Sequence, residues 1–154
     1  NELQRAVVLS MFLPLIISSG GNSGSQASTL IIRAMALGEI KLRDWWRVFV
    51  REVATGAALG LVLGTIGAIR IMLWPWREQM YGVHYAYIAL TVAFSVLGCV
   101  MWGTISGSML PFLLRKLKLD PASASAPAVA TIVDVTGVII YFSMANLMLK
   151  GLLL

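Results

Sequence analysis

One acidic residue stands in the middle of a long apolar stretch of this sequence. Asp134, in ATIVDVTGVIIYF, is the only formal charge in the interior of any long apolar segment of the chain. A charged side chain near the bilayer centre costs about 2.5–3.5 kcal/mol on insertion scales, and acids placed there often mark ion or proton paths. A proton, hydrogen bonds from another helix, or water and a passing cation could each offset that cost. The residue type therefore predicts a cation or proton site, with a buried structural acid as the alternative.

A second polar feature lies near the start of the chain. SSGGNSGSQAST, residues 18–29, is enclosed by the apolar runs AVVLSMFLPLII and LIIRAMAL. Gly20, Gly21 and Gly24 allow close backbone approach and local unwinding. The segment also carries hydroxyl and amide groups, including Asn22 and Gln26, which are unsatisfied in lipid but not along a watery cavity. We therefore expect this segment to line a hydrophilic path.

Small residues also recur around the acid at the spacing of one helix face. They are Ser123, Ala126, Pro127, Ala130, Asp134 and Gly137. Two helices with small faces, one of them with a central carboxylate, can border one path. Tight helix packing is the alternative, and it explains the glycines. Because packing alone does not explain Asn22, Gln26 and Asp134 together, we favour the path.

The elements that must position these residues follow from composition. The chain has 154 residues, of which 58% are hydrophobic and 12% charged, and its mean hydropathy is +0.84. Soluble domains carry about a quarter charged residues. Long apolar segments occur at about 6–37, 53–74, 83–114 and 126–149, and roughly 20 residues suffice for a helix to cross a bilayer. Since strand-like alternation is absent, we predict an all-α polytopic membrane bundle of four transmembrane helices.

Basic residues predict the orientation. Lys and Arg are concentrated in the connections at 38–52 and 115–123, which places both connections in the cytoplasm and both chain ends outside. A chain that starts outside without a signal sequence needs a preceding span, so we expect residues 1–154 to be part of a longer protein. The net charge of +5 does not indicate nucleic-acid binding, because the basic residues lie between apolar runs rather than on one face.

The available side chains restrict the class of cation. A soft transition metal would require His or Cys ligands, but His84 lies at a span end and Cys99, the one cysteine, is isolated in an apolar run. One carboxylate is a poor trap for a bare divalent ion, whereas Mg²⁺ keeps several waters and binds through one or two carboxylates. A twofold axis would supply Asp134 twice. The residues favour a hard, hydrated cation and a homodimer, without choosing among Mg²⁺, Ca²⁺ and Na⁺.

Two stretches together resemble a known family. PLIISSGGNSGSQASTLIIRAMALGEI and LPFLLRKLKLDPASASAPAVATIVDVTGVIIYFSMANL are similar to the transmembrane domain of the MgtE family of magnesium channels and transporters. The GGNxGxQ pattern and the DPA…P…DxxG pattern, in this order, carry the similarity, which covers essentially the whole chain. The family domain has five spans, so the resemblance implies that this chain contains the last four.

The resemblance also implies a site. Members are homodimers with the pore between subunits, lined by the spans that correspond to the first and fourth segments here. The family's pore aspartate falls on Asp134, the small residue whose backbone faces the ion falls on Ala130, and the Asn of the glycine segment falls on Asn22. Asp120 corresponds to a residue near the cytoplasmic mouth, and Ala126 replaces an Asn found in some members. The expected function is a Mg²⁺ channel of a bacterial inner membrane, with Mn²⁺, Co²⁺ and other divalent ions as further candidates.

Three other functions can be compared with the channel. A carrier that exchanges a proton or Na⁺ for Mg²⁺ would use the same acid, and animal relatives of the family are described as exchangers. A structural membrane subunit is more remote. An enzyme is not expected: the GNSG at 21–24 imitates an intramembrane serine protease, but His84 starts its span outside whereas Ser23 lies well inside its own. An aspartyl protease would require a second intramembrane acid.

Overall fold

The computed structural model describes residues 7–149, which form a bundle of long helices joined by short connections. The helices are α1 (Leu13–Ala36), α2 (Trp45–Leu73), the short α3 (Arg77–Tyr81), α4 (Tyr85–Lys116) and α5 (Ala126–Leu149). No strand occurs among residues 7–149. Four of the helical segments in that range are long and apolar enough to cross a membrane. The predicted all-α, multi-pass membrane architecture is therefore confirmed.

Helix α4 lies at the centre and packs against α1, α2 and α5. Its buried side chains include Val92, Val96, Cys99 and Val100. On its α2 side, a Cβ added at Gly60 would lie 2.9 Å from the Leu97 Cα, and one at Gly64 would lie 2.6 Å from the Ala93 carbonyl oxygen. Cβ atoms do not make contacts this short, so a residue larger than glycine at either position would push the helices apart. The glycines therefore determine how tightly α2 and α4 pack.

Hydroxyl groups of α1 connect it to the beginning of α5. The Ser28 hydroxyl donates to the Ala124 carbonyl (2.6 Å), and the Ser25 hydroxyl donates to the Ala126 carbonyl (3.0 Å). At the other end of the bundle, the buried Tyr141 hydroxyl of α5 donates to the Leu9 carbonyl (2.7 Å). These bonds satisfy backbone carbonyls inside the bundle, where no water is available to do so.

The start of α2 differs from the sequence-based segment. Helix α2 begins at Trp45, well before the predicted 53, so WWRVFVRE forms its first two turns. The Asp44 carboxylate accepts the Lys41 backbone N–H (2.8 Å) and thereby closes the turn that precedes the helix. Charged residues in these turns lower the local hydropathy, which is why the apolar pattern underestimates the helix.

The depth of the central acid follows from where α5 begins. Helix α5 begins at Ala126, as the apolar segment predicts, because Pro121–Ser123 form a separate 3-10 turn before it. The Asp120 carboxylate caps this turn by accepting the Ala122 N–H (2.9 Å). At 1.5 Å per residue, Asp134 lies about 12 Å into α5.

Candidate functional site

An open groove runs between α1 and α5 on the surface of the bundle. It encloses about 430 Å³. Its lining residues come from the first half of α1 and the middle of α5: Leu13, Pro14, Ile17, Ser18, Gly21, Asn22, Ala130 and Asp134. The polar and small members of this set are Ser18, Gly21, Asn22, Ala130 and Asp134. We call this feature the α1–α5 groove.

The α1–α5 groove contains a carboxylate held against a glycine. Asp134 is half-buried, and a Cβ added at Gly21 would lie only 2.6 Å from its Oδ1 and 3.9 Å from the Ala130 Cα. Gly21 therefore leaves the space that the carboxylate occupies. Ala130, one helical turn before Asp134, lines the same groove. Its side chain is a single methyl group and fills little of the groove.

A polar pair on α1 faces the same space. The Asn22 side-chain N–H donates to the Ser18 hydroxyl (3.2 Å), and both residues lie along the groove. This bond uses one amide hydrogen and leaves the amide oxygen as an acceptor. The groove therefore offers a carboxylate from α5 and amide and hydroxyl oxygens from α1.

Not every predicted path residue reaches the α1–α5 groove. Gly20 and Gly24 are buried against α4, where an added Cβ would lie 2.9 Å from the Cys99 carbonyl oxygen and 3.0 Å from that of Gly103. Gln26 is exposed on α1 outside the groove lining. The structure thus brings together Gly21, Asn22, Ala130 and Asp134 and gives Gly20 and Gly24 a packing role.

Two more predicted residues lie near the start of α5. Ala126 is half-buried, and its carbonyl accepts the Ser25 hydroxyl. Asp120 is exposed and caps the turn before α5, outside the groove. The local unwinding that the glycines of residues 18–29 would allow does not occur, because this segment is continuous α-helix from Leu13 to Ala36. Hydroxyls of this segment are satisfied within the helix by carbonyls one turn earlier, as the Ser19 hydroxyl is by Leu15 and the Ser23 hydroxyl by Ser19.

Sequence reasoning did not single out the apolar start of the groove. Leu13, Pro14 and Ile17 line it ahead of the polar residues. Pro14 lies one helical turn before Ser18, Ile17 one turn before Gly21, and Leu13 one turn before Ile17, and this spacing is the only sequence signal that could have indicated the apolar start. Cys99 is buried as expected, with its thiol 3.5 Å from the Gly137 carbonyl oxygen.

One copy of the chain offers little metal-binding capacity at this groove. Within residues 7–149, no three His, Cys, Asp or Glu side chains come together where they could hold an ion. A dehydrated divalent cation would require more oxygen ligands than Asp134 and Asn22 provide. The groove as built therefore suits an ion that keeps its water, bound through hydrogen bonds to the carboxylate and amide oxygens.

Known proteins match the part of the chain that contains the groove. The sequence pattern of the MgtE family, described as a divalent cation transporter, matches residues 13–144. The chain is 40% identical over 151 residues to the magnesium transporter MgtE of Thermus thermophilus, covering 98% of the chain and 32% of that protein. Its identity to the magnesium transporter MgtE of Bacillus subtilis is 31% over 152 residues, covering 99% and 32%. The corresponding protein of Enterococcus faecalis is 30% identical over 148 residues, covering 96% and 31%. The chain spans about a third of the length of these curated relatives.

Proposed function

The chain belongs to the MgtE family of divalent cation transporters, and we propose that it forms a Mg²⁺ channel whose central Asp134 attracts the hydrated ion. Its three relatives are named as magnesium transporters, which supports Mg²⁺ as the substrate. Mn²⁺ and Co²⁺ are further substrates of the same charge. Transport of a hydrated ion requires no covalent chemistry, and no enzymatic role is proposed.

The observation that carries this proposal is the Asp134 carboxylate in an open groove beside Gly21 and Ala130. An acid within a membrane span is costly unless it faces water or a partner. Mg²⁺ loses its waters reluctantly and is held through them by one or two carboxylates. A half-buried carboxylate with open space in front of it meets this requirement, whereas a structural acid would be enclosed by donors.

The position of the groove supports a homodimer. In one copy, the α1–α5 groove lies on the outside of the bundle, where the carboxylate would face lipid. A second copy placed across a twofold axis would cover both grooves and set two Asp134 side chains around one path. In this arrangement α1 and α5 of both copies line the pore, with Gly21, Asn22 and Ala130 around the ion.

The basic connections give the proposed orientation of the chain in the membrane. The connections between α1 and α2 and between α4 and α5 hold the clustered Lys and Arg residues, so we place both in the cytoplasm of a bacterium and the chain in its inner membrane. The α2–α4 connection and both ends of the chain then lie outside. Asp120, on the cytoplasmic side, stands at the inner mouth of the path.

Ion flux into liposomes tests the proposed role of Asp134. We expect purified protein to admit Mg²⁺ down its gradient, and Asp134→Asn to abolish most of that flux because it removes the charge and one acceptor oxygen. Asp44→Asn, a loop variant with the same change of charge, should conduct like wild type. The Asp134→Asn variant should keep or raise its metal-free melting temperature and lose stabilisation by Mg²⁺. Undiminished flux through this variant would return Asp134 to a structural role.

The same liposomes distinguish a channel from an exchanger. A lone intramembrane carboxylate can also carry a proton or Na⁺, and this observation favours the exchanger as the second candidate. A channel passes Mg²⁺ with no H⁺ or Na⁺ gradient. A flux that stops when those gradients are removed would replace the channel with coupled exchange.

A further inference from the structure

A second cavity lies at the end of the bundle that carries the basic connections, and it shares no lining residue with the α1–α5 groove. It encloses about 570 Å³, which falls in the range of about 300–1,000 Å³ typical of ligand pockets. The 3-10 turn before α2 (Leu42–Asp44), the start of α2 and the last two turns of α4 form its walls. The lining residues are Leu42, Arg43, Trp45, Met109, Phe112, Leu113 and Lys116. We call it the basic cavity.

The basic cavity is amphipathic. Phe112, which is buried, and Met109 form its apolar wall and belong to the cluster that packs α1 against α4. Arg43 and Lys116, both exposed, bring two positive charges to the same space. Trp45 and Leu113 are about half exposed, so the cavity is continuous with the surface that meets lipid.

No acid among the lining residues neutralises these charges. Asp44, the nearest carboxylate in sequence, directs an oxygen to the Lys41 backbone N–H at 2.8 Å and is not part of the cavity wall. Four more basic residues lie within two positions of lining residues in the sequence, namely Lys41, Arg47, Arg115 and Lys118. The result is a positive potential above an apolar slot at the membrane surface.

We propose that the basic cavity binds one anionic phospholipid of the cytoplasmic leaflet. Its phosphate pairs with Arg43 and Lys116, and one acyl chain lies along Met109, Phe112 and Leu113. Basic pockets between transmembrane helices on the cytoplasmic side are suited to anionic headgroups, and arginine forms paired bonds with phosphate oxygens. The site rests on the proposed orientation of the connections but not on Asp134 or on ion transport. Through Leu42 and Trp45, a bound lipid would fasten the α1–α2 connection to the end of α4.

Native mass spectrometry of the purified chain in uncharged detergent tests this site. The probes are phosphatidylglycerol and phosphatidylcholine with identical acyl chains, added in equal amounts. We expect wild type to retain phosphatidylglycerol preferentially, and the double variant Arg43→Gln with Lys116→Gln to bind it about tenfold or more weakly, since each charge-assisted bond is lost. The matched control is Arg47→Gln with Arg115→Gln, which removes two charges at the same end but outside the cavity wall.

The outcomes separate the sources of binding. Preference kept by the control and lost by the cavity variant supports the site. Equal losses in both variants would mean diffuse charge attraction, and no preference in wild type would mean no headgroup recognition; either result overturns the proposal. If inorganic phosphate raises the melting temperature as much as phosphatidylglycerol does, the cavity takes a soluble anion and the lipid assignment fails. The metal-free melting temperature of each variant checks that it is folded, and none of these readouts depends on Mg²⁺ flux.

Discussion

At the scale of single residues, the α1–α5 groove depends on a carboxylate and on the absence of a side chain opposite it. The Asp134 Oδ1 occupies space that a Cβ at residue 21 would take. Glycine at this position leaves room for the acid across the groove and serves no backbone purpose, because α1 is regular helix there. This contact links a glycine of the first span to the charge of the last.

Substitution of Gly21 by Ala should impair transport without unfolding the protein. The added methyl would meet the end of a flexible side chain, so the Asp134 carboxylate would be displaced while the helices stay in place. We expect Mg²⁺ flux to fall by roughly tenfold, equivalent to about 1.4 kcal/mol, with the melting temperature unchanged or raised by the better helix former. Gly137→Ala is the control, because its Cβ would meet only the Cys99 sulfur at 3.6 Å. Full flux through the Gly21→Ala variant would show that the carboxylate position does not matter.

At the scale of the helices, glycines determine how α1 and α2 approach α4. Gly20 and Gly24 of α1 face Gly103 and Gly107 of α4, with backbone against backbone. Gly56, Gly60 and Gly64 of α2 also lie against the backbone of α4, at Met101, Leu97 and Ala93. Since lipid provides no hydrophobic force between helices, this close packing and the hydroxyl bonds to carbonyls stabilise the bundle.

A methyl group at the α1–α4 contact should be costly, although Ala is a better helix former than Gly. In Gly107→Ala the new Cβ would lie against the Gly24 carbonyl and 2.9 Å from the Gly24 Cα, so the helices must separate, at a cost of about 1–3 kcal/mol. Gly98→Ala, on the same helix, would meet only the Ile140 side chain at 3.4 Å and should be neutral or stabilising by up to about 1 kcal/mol. Thermal unfolding in detergent compares the two; equal melting temperatures would contradict the packing argument.

At the scale of the whole molecule, one copy exposes its candidate ion site at the surface of the bundle. The α1–α5 groove has α4 behind it and no helix of residues 7–149 in front of it. The Asp134 carboxylate would therefore face lipid unless another surface covers the groove. The proposed cover is a second copy, and this arrangement makes a geometric prediction for the outer face of α1.

Cysteine cross-linking tests that geometry. In Asn22→Cys, the thiol would stand in the groove close to its counterpart in a second copy, and a short bismaleimide should join the two into a covalent dimer. The control is Leu61→Cys, which is exposed on α2 on the other side of α4 and should remain monomeric. Native Cys99 is buried and should not react. Dimers through residue 61 but not residue 22 would place the interface on another face.

Labelling from each side of the membrane tests the orientation. Gln79 lies in α3, between α2 and α4, and Lys118 follows the opposite end of α4. Because α4 crosses the bilayer once, cysteines at these positions should react with impermeant reagents from opposite sides, Gln79 from outside. Reaction of both from the same side would defeat the four-span topology and the proposed pore with it.

The sequence by itself determined the membrane character and the four spanning helices, and it predicted a cation or proton site at Asp134. These features depend on local properties: hydropathy over about 20 residues and the cost of one charge in lipid. The same local signals missed the start of α2, where charged residues belong to a membrane-length helix. The first two turns of α2 contain Arg47, Arg51 and Glu52. Their hydropathy is therefore unlike that of a membrane span, although they belong to the same continuous helix.

Only the tertiary structure decided which small residues belong to the groove. Residues 20–24 are consecutive on one helix, and neighbours differ by about 100° in direction, so Gly20 and Gly24 point to α4 while Gly21 points to Asp134. Composition treats these three glycines alike, because nothing local states which helix lies on which side of α1. The contacts that distinguish them join residues far apart in the chain, such as Gly21 with Asp134 and Gly24 with Gly103, and such contacts exist only once the bundle is assembled.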